Sequence, residues 1–159
     1  MSLVLDGSAG VTFPTGSGTQ GAQSKVLQVV QSTYNTATST TSGSYVTTGL
    51  SVSITPLFST SKILILSSLP VNTSGSAVAG VYSIFRNSTN LISSGTQTSL
   101  SEIYSSSGGS LFTSISMNYL DSPTTTSATT YSVYMYTSGT TTAQVNGQTS
   151  TIIVMEIAQ

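Results

Sequence analysis

In GLSVSIT, residues 49–55, Leu50, Val52 and Ile54 alternate with Ser51, Ser53 and Thr55, which predicts a half-buried strand with one apolar and one hydroxyl face. KILIL, residues 62–66, does not alternate and predicts a strand covered on both sides, central to a two-layer core. Further strands are predicted in KVLQVVQ, AVAGVYSIFR, LFTSISMNYL, TTYSVYMYTS and TSTIIVMEIA, with shorter ones near Asn90–Ile92 and Thr141–Val145. β-Branched residues and Tyr dominate the apolar positions, and helical spacing is almost absent. Gly, Pro, Asn and Ser clusters separate the runs, so the expected fold class is all-β, a β-sandwich or jelly roll rather than β-α-β units. Asn146-Gly147 predicts a type I′ hairpin turn, because both central positions of that turn need positive φ. Residues 31–45 predict an edge excursion or a long loop, and residues 93–110 a Ser- and Gly-rich surface loop.

Two strands are apolar on both faces. In YSVYMY, Tyr131, Val133 and Met135 share one side, and Tyr134 and Tyr136 the other. In the last strand Ile153, Met155 and Ile157 oppose Ile152, Val154 and Glu156. This exceeds what one small sandwich buries and predicts a heat-resistant homotrimer. Tyr131, Tyr134, Tyr136, Ile152 and Val154 are the expected subunit-interface residues, since Tyr is enriched at such surfaces. An outer-face aromatic pair would equally suit a sugar. Glu156 is costly on an apolar face unless paired, with Arg86 or Lys62 as candidate partners, or placed wet at a rim.

Composition narrows the chemistry. Of 159 residues, 33 are Ser and 28 are Thr, while seven are charged with a net charge of −1. The charges are scattered singly, whereas binding a nucleic-acid backbone needs clustered Lys and Arg, so no nucleic-acid partner is expected. Mean hydropathy is +0.22, and no apolar run reaches membrane-helix length, so no membrane insertion is expected. Nor does the N-terminus show a basic stretch followed by an apolar run, as a secretory signal would. The chain has no His and no Cys, which removes Ser-His-Asp, Cys-His, disulfide and thiolate or imidazole metal chemistry from a single copy. Four carboxylates, Asp6, Glu102, Asp121 and Glu156, show no local pairing, although a glycosidase-like pair could form by convergence in space. Ser59-Thr60-Ser61-Lys62 matches S-x-x-K, but a turn entering a strand stands where that motif needs a helix start. The expectation is a non-enzyme that needs no cofactor.

The opening LVLDGSAGVTFPTGSGTQ, residues 3–20, has too few apolar residues for a core. Glycines separate Leu3-Val4-Leu5 from Val11 and Phe13, and Pro14 stops regular pairing. Residues 1–24 therefore predict an attachment arm in which Leu3, Val4, Leu5, Val11 and Phe13 add strands to, or plug pockets on, another chain. Residues 25–159 form the predicted head.

SGSYVTTGLSVSITP, SKILILSSLPV, YLDSPTTTSATTYSVYMY and TSTIIVMEIA resemble a β-sandwich domain of tail-fibre and other virion structural proteins of tailed bacteriophages, of the cyanophage and marine-phage type. The resemblance spans about Lys25 to Ala158, and the glycine-punctuated opening resembles the segment before such domains. It implies a homotrimeric jelly roll with an outline like the TNF and C1q heads. It also implies a place in the virion, as a short tail fibre attached to tail or baseplate and mediating host-surface adhesion. The short stretch before the head, where fibres often carry a long shaft, leaves a capsid decoration (cement) protein as the alternative. A polysaccharide depolymerase is the third reading. Partners implied are other virion proteins and host surface glycan.

Overall fold

The computed structural model describes residues 4–6, 10–12, 25–93 and 98–159, the first two segments as backbone. β1 (Val4–Asp6) and β2 (Gly10–Thr12) form an antiparallel pair with Leu5 opposite Val11. The two apolar pieces of the opening segment, expected to extend separately, thus pair with each other. Leu3 and Phe13 lie outside the described residues.

The remaining strands are β3 (Val26–Tyr34), β4 (Thr38–Thr40), β5 (Val46–Ile54), β6 (Lys62–Ser74), β7 (Val78–Arg86) and β8 (Thr89–Asn90). They continue as β9 (Ser101–Ser105), β10 (Ser110–Asp121), β11 (Thr129–Thr137), β12 (Thr140–Ala143) and β13 (Ser150–Ile157). One sheet runs β3-β13-β6-β10 and the other β5-β11-β7-β9, all antiparallel. Counted along the chain, these principal strands are first-eighth-third-sixth and second-seventh-fourth-fifth. That order is the jelly-roll winding, in which the last strand slots between the first and third. The short β4, β8 and β12 extend the rims.

Alternation decides which side chains enter the core. Leu50, Val52 and Ile54 of β5 are buried beside Tyr131, Val133 and Met135 of β11 and Tyr82 and Ile84 of β7. From the other sheet come Ile63, Ile65, Leu69 and Val71 of β6, Ile115 and Met117 of β10, and Ile152 and Val154 of β13. Each fully buried aliphatic contributes about 1.5–3 kcal/mol by leaving water. β6 is central, as its sequence predicts, with β10 on one edge and β13 and β12 on the other. It is not covered on both sides: Leu64 and Leu66 point outward, and Leu66 is 36% exposed.

Two local expectations change. The polar stretch 93–110 contains β9, which pairs with β7 through Ile103 opposite Gly80, so it is not a loop throughout. Of the polar stretch 31–45, residues 31–34 finish β3, and the rest is an edge excursion, the first of its two expected forms, with β4 on the rim beside β12. Asn146-Gly147 makes no hairpin. Both residues do have positive φ, 58° and 70°, and Gln144 has φ 53°. Yet the chain makes one 3-10 turn and rejoins the same edge of β6, so β12 and β13 are collinear segments, opposite Val71–Ser74 and Lys62–Ser68 respectively. Positive φ was readable locally; chain reversal was not, because an unfilled stretch of the β6 edge captures the returning strand.

β5 carries a bulge. Its register against β11 jumps from Ser51–Ser132 to Thr47–Tyr134, and Gly49 between them has φ 87° with the Tyr34 ring lying over it. At the opposite end of β3, the Ala158 amide donates to the Lys25 carbonyl at 2.9 Å, tying the segment after β13 to the start of β3.

Candidate functional site

The interface residues expected from sequence divide between the interior and the exterior. Tyr131, Ile152 and Val154 have no exposed surface and lie in the core between the sheets, so they cannot form a contact between subunits. Both faces of β13 are apolar, and the side that leaves the core is Ile153, Met155 and Ile157, opposite to the expected one. Tyr134 and Tyr136 do face outward, half-buried on the β5-β11-β7 sheet. There the Phe85 ring stacks on Tyr134 at 4.2 Å, and Tyr45 meets Phe85 and Tyr136 edge-on at 5.1 and 4.8 Å. The Tyr45 hydroxyl donates to the Thr98 carbonyl, fixing the cluster against that residue. Around it the face is hydroxylated, with Ser53 and Thr130 sharing a 2.7 Å hydrogen bond.

Among the described residues, two buried carboxylates each anchor a polar centre in the interior. Asp121 on β10 accepts from Arg86 Nη1 on β7 at 2.9 and 3.0 Å and from the Tyr131 hydroxyl on β11 at 2.7 Å. Because β10 belongs to one sheet and β7 and β11 to the other, this triad pins the layers together. Burial raises the Tyr131 pKa, and donation to the Asp121 carboxylate raises it further.

Glu156 pairs with neither Arg86 nor Lys62 and is not wet at a rim. It is fully buried and accepts from Gln28 Nε2 at 2.6 Å, the Leu57 amide at 2.8 Å and the Phe58 amide at 3.2 Å. Gln28 Nε2 also donates to the Thr55 carbonyl at 2.8 Å. Burial pushes the Glu156 pKa up, but these donors outweigh it and hold the carboxyl below the ordinary value. The buried Ser61 hydroxyl, outside hydrogen-bond geometry, lies near enough to assist. The cage has a visible consequence: the loop it grips displays Leu57 and Phe58, 59% and 56% exposed.

Both buried carboxylates are thus engaged in structural hydrogen bonds, and Glu102 is exposed on β9. Among the described residues, no three His, Cys, Asp or Glu side chains gather as a metal site, and no helix is long and apolar enough to cross a membrane. Ser59–Lys62 forms a turn into β6 with no helix start. A shallow groove lies between Phe112, Thr113 and Ser114 of β10 and Val145, Asn146 and Gln148 of the excursion before β13.

The broadest feature is the outer face of the β3-β13-β6-β10 sheet. Register aligns Val29, Met155, Leu64 and Leu120 in one row across four strands, and Gln31, Ile153, Leu66 and Asn118 in the next. Val29 is 57% and Leu120 48% exposed. Sequence reasoning missed this face because its residues are scattered over four strands; only register brings them together.

No protein-family model matches the chain, and no curated protein matches its sequence. Among solved structures, the VP2 subviral particle of infectious bursal disease virus matches 82% of the chain at 14% identity with a TM-score of 0.43. Structures of the Gt and Gx strains of that virus each match 99% of it, at 12% and 14% identity and TM-scores of 0.46 and 0.44. The chain spans 39%, 47% and 44% of the length of those three proteins.

Proposed function

We propose that this chain is a structural protein of a bacteriophage virion, a short tail fibre whose sandwich head is carried by residues 1–24 on the tail or baseplate. The observation that carries the reading is the surface: an apolar outer face on one sheet, a hydroxyl-rich face on the other, and both interior carboxylates used to hold the fold. Such a molecule is built to be fixed within an assembly. With a net charge of −1 it has little electrostatic protection as a free monomer. Its resemblance to tail-fibre domains supports the location, and several copies carried on one virion supply the avidity that weak hydroxyl and amide contacts to host surface glycan require. No catalytic role is assigned to it. Imaging virions with gold-labelled protein tests the reading: label at the tail tip is expected, and label over the icosahedral shell would replace it with a capsid decoration protein.

A further inference from the structure

We propose that a second copy of this chain docks on the outer face of the β3-β13-β6-β10 sheet, through Val29, Leu64, Leu66, Leu120, Ile153 and Met155. The inference deepens the reading of the chain as an assembly subunit, and rests on it, by naming the surface and its occupant. The sheet is four strands wide along most of β6, because β12 and β4 continue β13 and β3 toward its far end, with only Leu69 and Pro70 lacking a strand partner on that edge. With strands about 4.8 Å apart and about 3.4 Å per residue over the 13 residues of β6, the face covers on the order of 800 Å². That equals the roughly 800 Å² each partner contributes to a standard stable interface.

Chemistry selects a copy of the same chain as the occupant. Among the described residues of this face the only ionisable side chain is Lys62, at one end of β6, so two copies meet with almost no like-charge repulsion. The aliphatic rows are flanked by Gln31, Asn118, Ser68 and Ser116, which can exchange hydrogen bonds at the margin, as at the polar rim of an interface. A pleated apolar sheet face packs best against another sheet face, about 10 Å away, and the chain supplies that surface itself. The opposite sheet offers no equivalent, since Ser51, Ser53, Thr130 and Ser132 hydroxylate its outside and its aromatic rings pack on one another.

Sedimentation of the full chain from nanomolar to micromolar concentration tests this, comparing the wild type with the Leu66→Lys/Leu120→Lys variant and with Ser51→Lys on the opposite sheet. Both leucines point away from the core, so the double variant should keep the wild-type circular dichroism while self-association weakens by at least about 30-fold. Ser51→Lys should associate as the wild type does. A wild type that stays monomeric, or a folded double variant that associates normally, overturns the proposal. Should the double variant misfold, cross-linking decides: the chain has no Cys, so Ser68→Cys should give bismaleimide-linked oligomers and Ser51→Cys should not. The reverse result also overturns it. Gold label at the tail tip would survive such a failure, so the docking face and the virion role fail separately.

Discussion

Glu156 shows how a single carboxylate can organise a loop. Its oxygens hold the amides of Leu57 and Phe58 as well as Gln28, so Glu156→Ala leaves two backbone donors without their acceptor. Each orphan costs about 1–3 kcal/mol, and a total loss of about 3 kcal/mol is expected in urea unfolding at neutral pH. The depressed pKa fixes the sign of the pH effect. Stability from this group is complete above the ordinary Glu pKa and disappears as pH falls through the lower folded value. Urea midpoints of the wild type should therefore drop on acidification more steeply than those of Glu156→Gln; equal slopes would contradict the assignment. At the other polar centre, Tyr131→Phe removes one of the donors to Asp121 and should cost about 1–2 kcal/mol by the same measurement. None of these partnerships was legible in the sequence, because Gln28 and Glu156 meet only through the pairing of the first and last strands of the head.

At the scale of the element, alternation in β5 revealed both the strand and its inward face, since Ser and Thr marked the other side, whereas in β11, with Tyr on both faces, it left the buried Tyr131 expected at a subunit surface. It failed for β13, whose two faces are equally apolar; there the choice is made by registers with β3 and β6 that lie far away in sequence. β9 was hidden because SEIYS, framed by Ser and Gly, pairs for reasons that belong to β7. The bulge in β5 gives the sharpest prediction at this scale. A Cβ on Gly49 would enter the Tyr34 ring, and its φ of 87° disfavours any other residue. Gly49→Ala should lower stability by about 2 kcal/mol or more, measured as a fall in the thermal midpoint. Pairing Gly49→Ala with Tyr34→Ala should recover the steric part of that loss and leave the backbone part.

For the molecule as a whole, the spacing of strands and turns announced a two-layer all-β fold, while the jelly-roll winding was expected from the resemblance alone, because strand order depends on which edges remain open for later strands. The arm and head are a division proposed from sequence. A chain lacking residues 1–24 should melt as cooperatively as the full protein yet no longer join virions, as scored by blotting purified particles. Loss of cooperative melting would show that the arm belongs to the fold.

The position of β13 also has a consequence for synthesis. The strand that fills the gap between β3 and β6 is synthesised after both of them, so until residues 150–157 emerge, two long strand edges stand open. Folding of the sandwich thereby waits for residues 150–157, and a chain cut short before them should aggregate rather than form a slightly smaller head.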